Sequence, residues 1–298
     1  MSRPLQLFLL LIAPVAVLGA MILADRTFQA PGRGLDYVLR FELPPPGGEI
    51  GLPKVEGPLD ASRPLVVIDA GHGGHDPGAG SGGVREKDLT LELARAVRDQ
   101  LLEQGGVRVA LTRDDDRFLL LPERSGIARR LKADLFISIH ADSTGGPSAT
   151  AHGASIYTLS ARGTSETAER LAGRENRADT VNGVTLNDTN DTVSAILVDL
   201  SQRDTQARSS EFASLFLREG AGRVAFHYDV EQSAAFVVLK SPDLPSVLIE
   251  AGYVTSPDDA QRLKSREGRA QFSAILAQAI RVYFARRSTP TAAPQSAG

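Results

Sequence analysis

The sequence predicts an α/β fold, on three observations. Short apolar runs at 65–70, 135–139 and 246–249 each stop abruptly at a polar or glycine-rich turn, as buried strands do. Amphipathic stretches with helical spacing alternate with such runs, the pattern of strand–helix–strand units. The three runs end in His72, His140 and Glu250, and open α/β sheets bind ligands just beyond the carboxyl ends of their strands. Three strands are therefore expected to bring two histidines and a carboxylate to one edge of one sheet.

The elements follow in order. Arg3 precedes an apolar stretch over residues 5–24 that contains Pro14. A short basic start before an apolar core describes a secretory signal, and the run is also just long enough to span a bilayer as an inner-membrane anchor. Residues 1–24 are thus expected to export the chain. Residues 25–62 are rich in Pro and Gly and read as a linker, with a short extended piece at 37–41. The strand at 65–70 runs into Gly71-His72-Gly73-Gly74. A helix over 88–104 carries Leu89, Leu93, Val97 and Leu101 on one stripe and stops at Gly105-Gly106. A strand at 107–112, a helix at 122–132 with Pro122 in its first turn, and strands at 135–139 and 154–159 come next. A helix is expected at 164–178, a polar segment at 179–192, and a long helix at 193–219, where Val193, Ile196, Leu197 and Leu200 share one face. Strands are expected at 236–239 and 247–249, a short helix capped by Ser256 before Pro257, and a last helix at 272–284. The tail over 287–298 reads as disordered.

Composition narrows the function classes. Acidic and basic residues number 36 and 33, so no excess of positive charge argues for nucleic acid. There is no cysteine, which excludes disulfide frameworks, cysteine zinc fingers and thiol nucleophiles. A metal would have to be held by His and carboxylates.

Zinc hydrolysis needs three protein ligands, an open position for water, and a base near that water. His72 and His140 are two candidate ligands. Glu86 is the third, because it lies just before the first helix and the loop from His72 can fold back beside it. Two imidazoles and one carboxylate leave a net positive charge on Zn²⁺, which draws the pKa of a bound water from about 15.7 towards about 7. Glu250 is the candidate base. Plainer roles stand beside these. Glu86 could favour a helix N-terminus through the dipole, and Glu250 could pair with an arginine. His75, His152 and His227 read as hydrogen-bonded structural residues. The glycine loop at 71–83 lacks the Gly-Lys-Ser/Thr of a phosphate-binding loop.

Four segments resemble one family in their residues and order: Ile68-Asp69-Ala70-Gly71-His72-Gly73-Gly74, Arg85-Glu86-Lys87-Asp88, Ser138-Ile139-His140-Ala141-Asp142 and Val247-Leu248-Ile249-Glu250-Ala251-Gly252-Tyr253. Residues 64–286 are similar to the zinc-dependent N-acetylmuramoyl-L-alanine amidases of the cell-separation type. The resemblance implies a twisted, mixed six-stranded sheet with helices on both faces, and a catalytic domain over 63–286. It implies zinc at His72, Glu86 and His140, and a catalytic Glu250. The implied reaction cleaves the amide between N-acetylmuramic acid and L-alanine of peptidoglycan in the periplasm, for wall remodelling and daughter-cell separation.

Residues 175–205 resemble the subgroup in which an extra helix lies across the active site. There a carboxylate matching Glu175 completes the zinc shell, and activators with LytM-type domains displace the helix. This implies an autoinhibitory insert over 179–205; an ordinary core helix with a solvated Glu175 is the other reading. The subgroup often carries a β-rich targeting module before the catalytic domain. The stretch between residues 24 and 63 is too short for one, and a retained anchor would substitute. Two other functions remain open: a zinc peptidase on stem peptides, with Arg85 or Arg113 holding a terminal carboxylate, and a non-catalytic wall-binding module.

Overall fold

The computed structural model describes residues 51–143, 151–181, 184–185 and 195–288. The expected export segment, the linker up to residue 50, most of the polar segment at 179–192 and the tail beyond 288 lie outside the described residues. Among the described residues no helix is long and apolar enough to cross a membrane.

The elements run β1 (Leu65–Ala70), β2 (Gly80–Ser81), β3 (Val84–Arg85), α1 (Glu86–Gln104), β4 (Arg108–Leu111), α2 (Leu121–Arg130), β5 (Leu135–Asp142), β6 (Ala154–Leu159), α3 (Glu166–Glu175), β7 (Thr180–Val181), β8 (Val184–Thr185), α4 (Ala195–Gly220), β9 (Phe226–Ala234), β10 (Ser246–Tyr253), α5 (Pro257–Lys264) and α6 (Arg266–Ser288). Six strands form one sheet in the order β4-β1-β5-β10-β6-β9. β4, β1, β5 and β10 are mutually parallel, β6 is antiparallel to β10, and β9 is parallel to β6. The mixed six-stranded sheet of the resemblance is present.

Strand alternation explains why both faces are covered. Val66 and Ile68 belong to one apolar cluster with Leu93, Val97, Phe216 and Ile280, from α1, α4 and α6. Val67 belongs to the other, with Ala128, Leu171 and Phe236, from α2, α3 and the segment after β9. Successive side chains of a strand point to opposite faces, so one apolar run serves both cores. By the same alternation Asp69, His140 and Glu250 project to the side of α2 and α3.

Two expectations are corrected. The run at 236–239 is a 3₁₀ turn over Val237–Leu239, not a strand. A short apolar run does not distinguish a strand from other buried segments, and this one covers the second core. The sixth strand is β9 instead, whose sequence Phe-His-Tyr-Asp-Val-Glu-Gln-Ser-Ala lacks an apolar run because it lies at the sheet edge. The Pro/Gly-rich segment before β1 is also fastened to the domain near its end, where Glu56 and Val109 exchange backbone hydrogen bonds of 2.8 and 2.9 Å.

Candidate metal centre

Three adjacent parallel strands deliver the expected residues to one edge. Glu250 on β10 and His140 on β5 are Cα partners. β1 pairs with β5 up to Ala70 and Ile139, and the Gly71 N–H then bonds to the Ile139 carbonyl at 3.0 Å. His72 follows in the left-handed region, at φ 60°. A non-glycine residue held there is costly and persists only where its surroundings over-determine it. Two buried arginines do so. Arg113 donates to the carbonyls of Ala70 (2.9 Å), Gly71 (2.8 Å) and Lys87 (2.9 Å). Arg124 donates to those of Ala70 (2.8 Å) and His72 (2.9 Å) and pairs with Asp69 at 3.0 Å. Two glycines are required by close approach. A Cβ on Gly71 would lie 2.5 Å from the His140 ring, and one on Gly78 would lie 2.6 Å from both Glu86 Oε2 and His72.

Glu86 opens α1 and turns inward, where two backbone amides hold it. Ala79 N–H donates to Oε2 at 2.8 Å and Ala141 N–H to Oε1 at 3.0 Å. Glu175 ends α3 and is also buried. Asn176 and Asp179 pin the turn after it: Asn176 bonds to Ala235 and Val237, and Asp179 accepts from the Leu121 N–H at 3.0 Å. Glu175 is therefore not solvated; its carboxylate enters the site.

Among the described residues, His72, Glu86, His140 and Glu175 form the group whose donor atoms all lie within 4.8 Å of one another. His72 Nε2 is 3.0 Å from Glu86 Oε1 and 3.3 Å from Glu175 Oε2; His140 Nδ1 is 3.0 and 3.2 Å from the same two atoms. A tetrahedral ion with bonds of about 2.0–2.1 Å sets its donors about 3.3 Å apart. His72 Nε2 and Glu175 Oε2 are buried without a hydrogen bond despite these short separations. Donors that are crowded together but poorly aligned for hydrogen bonding suit ligation. His72 is oriented for it, with Nδ1 2.7 Å from Asp76 Oδ2, the outer partner that fixes the tautomer of a metal-binding imidazole.

The electrostatics ask for positive charge at the same point. Burial pulls His72 and His140 down, but the carboxylates outweigh it. Glu86, Asp76 and Glu175 hold His72 well above its ordinary range, and Glu175 with Glu86 raises His140 to about 10. Burial works to raise Glu86, yet the histidines hold it down at about 2. A divalent cation between neutral imidazoles would meet the same demand. Glu250 lies under the opposite influence. Burial first, then Asp142, push its carboxyl well above the usual range. Among the described residues neither of its buried oxygens has a hydrogen-bond partner.

Of the two arginines suggested for a peptidase, Arg113 is buried under backbone carbonyls, and Arg85 is exposed and pairs with Asp88 at 2.7 Å. Sequence reasoning missed Asp76, Arg124 and Arg174, whose guanidinium pairs with Glu175 at 3.2 Å. Asp76 sits four residues past His72 in the glycine loop, a spacing that is itself a signal. Arg124 and Arg174 lie on helices among other charged residues, and nothing local marks them.

Residues 66–282 match the family described as N-acetylmuramoyl-L-alanine amidase. The chain is 41% identical over 225 residues to AmiA of Salmonella typhimurium, covering 75% of this chain and 77% of that protein. It is 39% identical over 236 residues to AmiA of Escherichia coli strain K12, covering 78% and 81%. Among solved structures it resembles N-acetylmuramoyl-L-alanine amidase AmiC2 of Nostoc punctiforme, with TM-score 0.53, 31% identity and coverage of 75% of this chain and 98% of that one. The fold alone is shared with Ami1 of Mycobacterium smegmatis, at TM-score 0.55, 20% identity and coverage of 75% and 97%. Fold and sequence agree, and the chain belongs to the N-acetylmuramoyl-L-alanine amidase family.

Proposed function

We propose that the chain is a zinc-dependent N-acetylmuramoyl-L-alanine amidase that releases stem peptides from peptidoglycan. One observation carries the reading: a buried two-histidine, two-carboxylate cluster whose donor atoms all lie within 4.8 Å of one another, with Glu250, whose oxygens have no hydrogen-bond partner among the described residues, on the neighbouring strand. His72, Glu86 and His140 would hold the ion. When bound, it supplies Lewis-acid polarisation of the scissile carbonyl and a more acidic water. The His₂-carboxylate set without sulfur suits zinc.

The residues of the chain then have distinct tasks. Asp76 keeps His72 in the tautomer that turns Nε2 inward. The Ala79 and Ala141 amides keep Glu86 from rotating. Glu250, with both oxygens free of hydrogen bonds, takes the proton of the attacking water and passes it to the leaving amine of L-alanine. Glu175 would supply a fourth ligand to the ion and so close the position that catalysis needs open, and this supports an autoinhibited resting state. An activator with a LytM-type domain would relieve it. The N-terminal segment, as signal or inner-membrane anchor, supports a periplasmic location.

The test is product analysis on purified peptidoglycan by mass spectrometry, before and after chelation. Free stem peptides beginning with L-alanine, lost on chelation and restored by zinc, are expected. Shortened stem peptides would move the assignment to a peptidase. Zinc binding with no products, in the wild type and in Glu175→Ala alike, would leave a binding module.

A further inference from the structure

Arg113 stands two positions past the end of β4, and its guanidinium is buried. Burying a charge is costly unless it is paired or well supplied with hydrogen bonds. Among the described residues no carboxylate bonds to this one. Backbone oxygens hold it instead. Nε donates to the Ala70 carbonyl at 2.9 Å and Nη1 to that of Asp115 at 3.0 Å. Nη2 donates to the carbonyls of Gly71 at 2.8 Å and Lys87 at 2.9 Å, with the Thr90 hydroxyl at 3.2 Å. Burial, and then the neighbouring Arg124, lower its pKa to about 10, so the group stays charged at neutral pH.

Two of those carbonyls adjoin residues of the metal centre. Gly71 precedes His72, and Lys87 follows Glu86. One nitrogen therefore joins the end of β1 to the first turn of α1 at the positions next to both ligands. Thr90 repeats the tie, since its hydroxyl sits on α1 and donates to the same Gly71 carbonyl at 2.8 Å. Further along the glycine loop, the Lys87 ammonium reaches the Gly74 carbonyl and Asp116, each at 2.7 Å. Such ties matter because His72 Nε2 and Glu86 Oε1 are 3.0 Å apart although their side chains leave different elements. Metal–ligand distances tolerate errors of only about 0.2 Å, so both backbones have to be fixed relative to each other.

We propose that Arg113 is a positioning residue of the metal centre: by holding the Gly71 and Lys87 carbonyls on one guanidinium nitrogen, it presets the separation of His72 from Glu86. The proposal rests on the reading of those two residues as metal ligands. It asks for an arginine in particular. The guanidinium is a rigid fork with five donors, and here the fork spans three segments of chain at once. A lysine would keep the charge but offers a single nitrogen on a flexible stem, which cannot serve four carbonyls in these directions.

The experiment measures zinc affinity of the full-length chain by competition with a chromophoric chelator, beside urea unfolding of the same metal-free proteins. Arg113→Lys is expected to bind zinc about tenfold more weakly, the lower end of the range typical for groups that support metal ligands. Thr90→Val keeps the shape of the side chain, removes one tie, and is expected to show a smaller loss in the same direction. Leu276→Ala is the control. Leu276 is buried on α6 in the apolar core and makes none of the contacts above. It should lower stability and leave zinc affinity unchanged, because destabilisation weakens apparent binding only when unfolded chain is populated. Wild-type zinc affinity in a folded Arg113→Lys would overturn the proposal. So would an equal loss of affinity in Leu276→Ala, which would trace the effect to stability in general. If Arg113→Lys does not fold, Thr90→Val decides, and unchanged affinity there overturns the proposal. A wild type that binds no zinc would sink the metal reading itself, an outcome distinct from zinc that binds without regard to Arg113.

Discussion

Asp76 and His72 stand 2.7 Å apart, carboxylate oxygen to Nδ1, inside a glycine-rich loop. This contact decides which imidazole nitrogen faces the other three donors. Outer partners of this kind typically govern metal affinity by 10–100-fold. Asp76→Ala is therefore expected to lower zinc affinity by roughly that factor, read from competition with a chromophoric chelator. An unchanged affinity would show that the loop backbone alone orients the ring.

Glu175 is the fourth donor and a buried one. Glu175→Ala removes it and opens a position. Basal release of stem peptides is expected to rise by about tenfold or more, since each 1.4 kcal/mol of closure is a factor of ten. Zinc affinity should fall in the same variant. Basal turnover no higher than wild type would remove the autoinhibition argument.

Glu250→Gln keeps the shape of the site and removes its proton acceptor. Loss of a positioned general base typically costs about 10²–10⁴ in rate, and kcat is expected to fall within that range. Zinc content should be unchanged, because Glu250 is not among the clustered donors. A parallel loss of metal would mean that Glu250 acts by holding the ion.

Asp69 is fully buried and accepts from Thr112 at 2.6 Å, Ser138 at 2.7 Å and Arg124 at 3.0 Å. Removing one partner of a buried pair strands the other, at a cost of about 3–5 kcal/mol. Asp69→Asn is expected to lose stability of that order in urea unfolding. Burial alone would raise its carboxyl, but Arg124 and the two hydroxyls hold it below the ordinary range. A lowered native value contributes stability above the unfolded pKa of about 3.9 and loses it as pH falls towards the native one. Below about pH 4 the wild type should lose stability faster than Asp69→Asn. Parallel acid profiles would count against this account.

The parts of the fold that were legible have local causes. The runs ending at His72, His140 and Glu250 mark strand ends because apolar residues stop where the chain leaves the core. Ser256 before Pro257 announces α5, and its hydroxyl does accept from the Asp259 N–H at 3.4 Å. The strand β9 was not legible. An edge strand needs no apolar run, and its partner β6 lies some seventy residues earlier, as the register of Ala154 with Phe226 indicates. The apolar run at Val237–Leu239 looked more like a strand than β9 did, because burial alone does not specify backbone conformation.

The sequence by itself determined the class of fold, the strand ends and the family, since periodicity and motif order are properties of neighbouring residues. It also put His72, Glu86, His140 and Glu250 forward as a set. Glu175 came forward only through resemblance, and its burial against His72 and His140 is a fact of the tertiary structure. So is the support around the site. Arg124 reaches Asp69 across 55 positions of sequence, and Arg113 reaches Ala70 across 43. Contacts of that range are set by the packing of α2 and β4 against β1, and no local pattern records them. Chemistry can be read from residue types near one another in the chain, whereas the crowding that makes four of them a single centre exists only once the sheet has closed over it.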